Sequence, residues 1–274
     1  MKKYIIPIFS LLGILMLGAC SEEDFTSFAG NNKAGVYLQR VATTNINGTP
    51  LTYSDSIVVT FANYNLDTER LRTYVPVKIM GDVTNQDRRF KLVVNPELSD
   101  AVEGEDYELS DTACYIPAGQ ASRNVFFYIK KTPKLDNQSV RIVFEVQDNE
   151  NFTAELEHYK NTVDWASTGK ELCGKRYKVI FNNIWEIPTQ WSFWGDYYFG
   201  TWSVKKEKIL DELMGWQHSE FDSKATYGKL PYLAKKLQKH LQEQADAGTP
   251  VTDEDGSYMQ LVSPYLVDYS KYDK

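Results

Sequence analysis

Little in this chain points to chemistry. There are three cysteines and three histidines in 274 residues. The histidines, His158, His218 and His240, never fall four apart, so the helical pair that holds zinc in many hydrolases is missing. No Gly-x-Ser-x-Gly elbow, phosphate-binding loop or dinucleotide Gly fingerprint occurs. Positive charge is in deficit: 30 Lys and Arg stand against 37 Asp and Glu, a net charge of −7. No basic run breaks that balance, which disfavours nucleic acid as a partner, because phosphate contacts need clustered cations to displace counterions. Long apolar runs are missing after residue 17. What is abundant is the aromatic ring, with 18 Tyr, 13 Phe and 6 Trp, enough apolar surface for a folded core.

The one apolar run lies at the start. Lys2 and Lys3 precede an uncharged stretch, Tyr4 to Leu17, which is short for a bilayer span of about 20 residues. Gly18, Ala19 and Cys20 follow. This is the pattern of a secretory signal peptide. Leu17-Gly18-Ala19-Cys20 also resembles the bacterial lipobox, which implies cleavage before Cys20 and acylation of that residue. Several acyl chains anchor a protein stably where one is marginal. Ser21-Glu22-Glu23-Asp24 resembles the acidic export signal of surface lipoproteins in Bacteroidetes. The resemblance implies a lipid-anchored protein of the outer membrane facing the cell exterior. With Cys20 set aside, Cys114 and Cys173 are open to two readings: one disulfide, as an exported chain permits, or two separate buried thiols.

The chain divides by pattern into four parts: a signal peptide over 1–19, a lipidated cysteine and flexible tether over 20–34, a β-sandwich over 35–150, and an aromatic-rich α+β region over 151–274. Period-two alternation marks the strands. Leu71, Thr73, Val75, Val77 and Ile79 share one face, and Pro76 on the other predicts an edge strand, because proline removes a ladder donor. Phe90, Leu92 and Val94, then Val125, Phe127 and Ile129, then Val140, Ile142, Phe144 and Val146 repeat the pattern. The expected fold is mainly β: an immunoglobulin-like antiparallel sandwich followed by a smaller α+β region with two helices. Gly104-Glu105-Asp106-Tyr107 and Ile116-Pro117-Ala118-Gly119-Gln120 resemble turns of a Calx-beta domain. Some such domains bind calcium. Here Glu103, Glu105, Asp106, Asp148 and Glu150 read instead as solvated loop acids, since Gln147-Asp148-Asn149 stands where paired aspartates would be needed.

In the last third, Tyr177, Val179 and Phe181 alternate. A dense aromatic block runs from Trp185 to Trp202. Ser203 suits an N-cap and Gly215 a stop, with Ile209, Leu210, Leu213 and Met214 on the apolar face between them. Pro231 suits the start of a second helix whose stripe is Leu230, Leu233, Leu237, Leu241 and Ala245, ended by Gly248. Asp255-Gly256 predicts a turn before a strand at Tyr258–Val262. Ser203-x-x-Lys206 matches a serine-nucleophile motif, but the Ser-Asp-Asn and Lys-Thr-Gly partners are missing, so Ser203 is read as a cap. The aromatic block has two readings, core packing or an exposed platform. A platform would use Trp191, Trp194, Tyr197, Tyr198 and Trp202 to stack on a glycan or a peptide.

Pro188-x-x-Trp191 followed by Gly200-x-x-Ser203-x-x-Lys206 resembles an uncharacterised Bacteroidetes outer-membrane lipoprotein family often encoded beside SusC/SusD-like uptake pairs. That resemblance implies a non-catalytic accessory role, without metal or cofactor, in acquiring a glycan or peptide with a SusC/SusD-like transporter. A structural or adhesion-type module in a surface assembly is the alternative, and a hydrolase with an unrecognised site is third.

Overall fold

The computed structural model describes residues 33–110, 114–161 and 171–272. Cys20, the signal peptide and all but the last two residues of the expected tether lie outside them.

The first half supplies strands. They are β1 (Ala34–Leu38), β2 (Arg40–Thr44), β3 (Pro50–Ser54), β4 (Ser56–Thr60), β5 (Arg70–Met80), β6 (Arg88–Arg89), β7 (Lys91–Val94), β8 (Tyr107–Leu109) and β9 (Tyr115–Ile116). Then come β10 (Ser122–Lys130), β11 (Val140–Gln147), β12 (Phe152–Thr153), β13 (His158–Lys160), β14 (Glu171–Cys173) and β15 (Arg176–Asn182). Two sheets form the sandwich. One has the order β12-β1-β5-β10-β8 and the other β4-β15-β11-β7. Their inner faces make one core, with Phe127 of β10 and Phe144 of β11 in ring contact across it at 4.9 Å. The alternating residues point inward as expected: Val75, Val77, Val125, Phe127, Ile129, Val140, Ile142, Phe144 and Val146 are all buried.

Three details of the sandwich differ from the sequence reading. The pairing is antiparallel except for β1 with β12 and β15 with β4, which run parallel. The sandwich does not stop at residue 150: β12 and β15 complete it, and Tyr177, Val179 and Phe181 sit in its core. Finally, Pro76 is not on an edge strand, since β5 pairs with both β1 and β10. In an antiparallel ladder a residue's N–H and C=O point the same way. The Pro76 carbonyl accepts from Gln39 N at 3.3 Å, so its missing donor also faces β1, one step past the last paired residue, Leu38. The ring therefore interrupts no ladder bond.

The helical part has its own core. It contains α1 (Asp196–Phe199), α2 (Val204–Met214), α3 (Phe221–Lys224) and α4 (Leu230–Asp246), preceded by a π-helical turn at Trp191–Gly195. The two long helices are those expected. Ser203 Oγ accepts from Lys206 N at 3.1 Å and Gly215 ends α2 at φ 65°. All five apolar residues of the α4 stripe are buried. Tyr258–Val262 is not a strand. The Gln260 side chain substitutes for a partner: its Oε1 accepts from Val267 N and its Nε2 donates to Val267 O, which folds the segment back on itself. Among the described residues no helix is long and apolar enough to cross a membrane.

Gly195 is tightly enclosed. Its backbone is ordinary right-handed helix, yet a Cβ there would lie 2.9 Å from Trp191 Cγ and 3.3 Å from Phe199 Cδ2. Alanine is the better helix former, so only the lack of space opposes it. Gly195→Ala should lower the urea midpoint, by about 1–3 kcal/mol of stability. An unchanged or raised midpoint would contradict this packing.

Candidate functional site

The residues expected to form one aromatic platform separate into three environments. Trp191 is fully buried against Phe199 and Phe221, with ring centroids at 4.8 and 5.6 Å, and its Nε1–H donates to the Gly200 carbonyl. It belongs to the core and cannot meet a ligand. Trp202 is half-buried and its Nε1–H donates to Glu207 at 2.6 Å. Trp194 and Tyr197 do face solvent, 45% and 71% exposed, beside Phe193 at 65%. Trp194 meets the exposed Tyr227 edge-on at 5.0 Å, and half-buried Tyr198 meets Tyr265 by ring contact at 6.2 Å. The π-helical turn produces this split, since one wider turn puts Trp191 inside and Trp194 outside. Such turns recur at functional sites.

The remaining residues of the motif are scaffold. Thr189 N and Gln190 N both donate to the Asp222 carboxylate, which caps the turn that carries Trp191. Gly200 has φ 72°, where a side chain would be strained. Lys206 is buried and its Nζ donates to the Phe199 and Thr201 carbonyls, with Asp253 at 3.7 Å. Its amine therefore serves the loop and not Ser203, and Ser203 is the cap it was read to be. Burial pushes the Lys206 ammonium below its usual range.

A second arrangement escaped the sequence reading. The inward face of α2 holds Lys206, Glu207, Leu210 and Asp211, whereas Ile209, Leu213 and Met214 are only half-buried. Both Glu207 oxygens are engaged, one by Trp202 Nε1 and the other by His218 Nδ1 at 2.6 Å. With Nδ1–H directed at a carboxylate, the open ring nitrogen of His218 is Nε2. One turn on, Asp211 is 3% exposed and neither of its oxygens has a hydrogen-bond partner. Burial, then the nearby Glu207 carboxylate, pushes Asp211 up to about 7, with His218 opposing. Asp211 lies against a cleft of about 330 Å³ walled by Tyr64, Leu66, Trp185 and Trp216, and Gly215 and Trp216 bring the C-terminal end of α2 to it. The Gln217 amide donates to Asn65 Oδ1 at 2.9 Å, tying the helical wall to the sandwich wall. The available signal was the acidic i, i+4 pair Glu207 and Asp211, which is unfavourable on an open helix face.

Asp106, read from the sequence as a solvated loop acid, is not one. Asp106 is buried, accepts from Val102 N and pairs with Lys134 at 2.8 Å. The Asp148 carboxylate accepts from Ala154 N. Among the described residues no group of three His, Cys, Asp or Glu is set to hold a metal. No disulfide joins Cys114 to Cys173: Cys114 packs against the sandwich core, and Cys173 ends β14. A cavity of about 700 Å³ at the sandwich end is lined by residues of both signs, among them Lys130, paired with Glu108 at 2.5 Å.

The model of the family described as "Domain of unknown function (DUF4843)" matches residues 31–216, more than half of the chain. The chain belongs to that family. No curated protein matches it. The DUF4843 match runs from β1 through the sandwich to the end of α2, so it contains Asp211, Glu207 and three aromatic walls of the cleft, Tyr64, Trp185 and Trp216. His218 and Tyr227 lie just beyond it.

Asp211 costs stability as pH rises. An unfolded aspartate ionises near 4, while the folded one holds its proton to about 7. Between those values the unfolded chain releases a proton that the folded chain keeps, so stability falls as pH rises through that window and stays low above it. Asp211→Asn should therefore stabilise the protein by about 1–3 kcal/mol at pH 8 and by much less at pH 4.5. Urea titrations at the two pH values check this. An equal effect at both would mean that the carboxyl ionises normally.

Proposed function

We propose that this DUF4843 protein is a lipid-anchored, non-catalytic binding component of the outer cell surface that helps a SusC/SusD-like transporter acquire a glycan or a peptide. The observation that carries the binding role is the exposed face built by Phe193, Trp194, Tyr197 and Tyr227. Large rings held at the surface by a rigid turn stack on sugar faces or peptide side chains with little loss of side-chain entropy. The lipobox-like Leu17-Gly18-Ala19-Cys20 and the acids after it support surface anchoring. The SusC/SusD-like partner rests on the resemblance of the motif at 188–206. The alternative, a module contacting other proteins of a surface assembly, would use the same face.

The acidic pair on α2 gives little support to a glycosidase. That chemistry needs two carboxyls flanking the scissile bond, whereas Glu207 and Asp211 lie on one face of one helix and Glu207 is fully buried.

Titrating a glycan and peptide panel against the wild type and Trp194→Ala tests the ligand role. The variant should bind about tenfold more weakly, a loss of about 1.4 kcal/mol, with an unchanged melting temperature because Trp194 lies outside the core. Equal, saturable affinity in both would remove this face from the site. Mass spectrometry of the processed protein tests the anchor. The N-terminal residue should be Cys20 carrying acyl chains, and a bare thiol there would end the membrane assignment.

A further inference from the structure

The cleft beside Asp211 shares no lining residue with the aromatic face, and its chemistry is different. Asp67, Asp211 and Glu212 line it, and no lysine or arginine does. The last turn of α2 ends there with no basic residue in it, so the partial negative charge of the helix C-terminus adds to that of the acids. Tyr64, Trp185 and Trp216 supply ring faces, which attract cations. Those two indoles already draw ammonium groups: Lys208 Nζ stands 5.1 Å from the Trp185 ring and Lys224 Nζ 5.7 Å from that of Trp216. At the cleft wall, Asp211 is 97% buried with both oxygens unpartnered. A buried polar group without a partner is costly, and a water-accessible cavity beside it leaves room for a donor to supply one.

We propose that this cleft binds a primary ammonium group on an aliphatic or sugar stem, with the Asp211 carboxylate as the ionic partner and the Tyr64, Trp185 and Trp216 rings around the stem. A volume of about 330 Å³ accommodates a lysyl side chain or one amino sugar. His218 also lines the cleft, whereas Glu207 does not. Glu207 is closed off by Trp202 and His218, which leaves Asp211 as the acid at the cleft whose buried oxygens have no donor, and they meet a ligand when the side chain turns outward. Binding requires Asp211 to lose its proton. The charged and titratable groups around it are Glu207 and Glu212 on α2, His218 and Glu220 on the turn that follows, Lys224 on α3 and Asp67 on the sandwich loop.

Calorimetry on the full mature protein, with Nα-acetyl-lysine amide and glucosamine as probes, tests the proposal. The neutral counterparts are Nα-acetyl-norleucine amide and N-acetylglucosamine. At least one cation should bind more than tenfold tighter than its counterpart, and the one that does identifies the stem. For the lysine amide the affinity should rise about tenfold from pH 6 to pH 8, as Asp211 ionises, whereas glucosamine, whose own amine loses its proton over the same range, should show a smaller rise. Asp211→Asn, which should fold at least as stably, should lose that preference and the pH dependence together. Trp194→Ala should keep both, which separates this site from the aromatic face. The proposal is overturned if neither cation outbinds its neutral counterpart, or if Asp211→Asn keeps wild-type affinity and the same pH response.

Discussion

The Glu207 carboxylate, buried on α2 and held between the Trp202 indole N–H and the His218 imidazole, governs the helical half of this protein. A buried carboxylate is tolerable only when its oxygens are satisfied, and these two donors reach it from both sides of α2. The consequences spread along the helix. Trp202 is drawn inward from the loop before α2, and His218 is drawn back from the turn after it. Asp211, one turn further on, is left with a negative neighbour and no donor of its own. A helix built for stability alone would carry leucine at these positions. Features that lower stability without serving the fold tend to gather where a protein meets something else.

The residues most diagnostic of the family motif are not the ones positioned to touch a ligand. Trp191 fills the core, Gly200 turns the chain and accepts the Trp191 N–H, Ser203 caps α2, and Lys206 holds two loop carbonyls. Together they build a rigid corner. Phe193, Trp194 and Tyr197 project from one side of that corner, and Glu207 and Asp211 hang from the helix that it starts. A motif can thus identify a scaffold while the recognition chemistry sits in the positions between its letters.

How much was legible in the sequence followed from how local each cause is. Alternation of apolar residues is local, and it placed the inward faces of β5, β7, β10 and β11. Capping is local as well, and Ser203, Gly215 and Pro231 bounded the long helices. Pro76 misled because its consequence depends on where a strand forty residues earlier ends. The boundary at 150 misled because β15 returns to a sheet begun by β4, and composition does not report pairing across that separation. Asp211 was invisible for a further reason. A charged residue on a helix reads as solvated unless the tertiary fold is known to bury it, and the burial here comes from Trp185, Trp216 and the Tyr64–Asp67 loop together.

The parallel pairing of β1 with β12 has a mechanical side. β1 is bonded along one edge to β12 and along the other to β5. Tension entering the fold through the chain ahead of Ala34 therefore loads both ladders at once, sliding the strand lengthwise instead of peeling it away bond by bond. Lengthwise sliding strains the bonds of both ladders together, and so β1 resists being drawn out along its own axis.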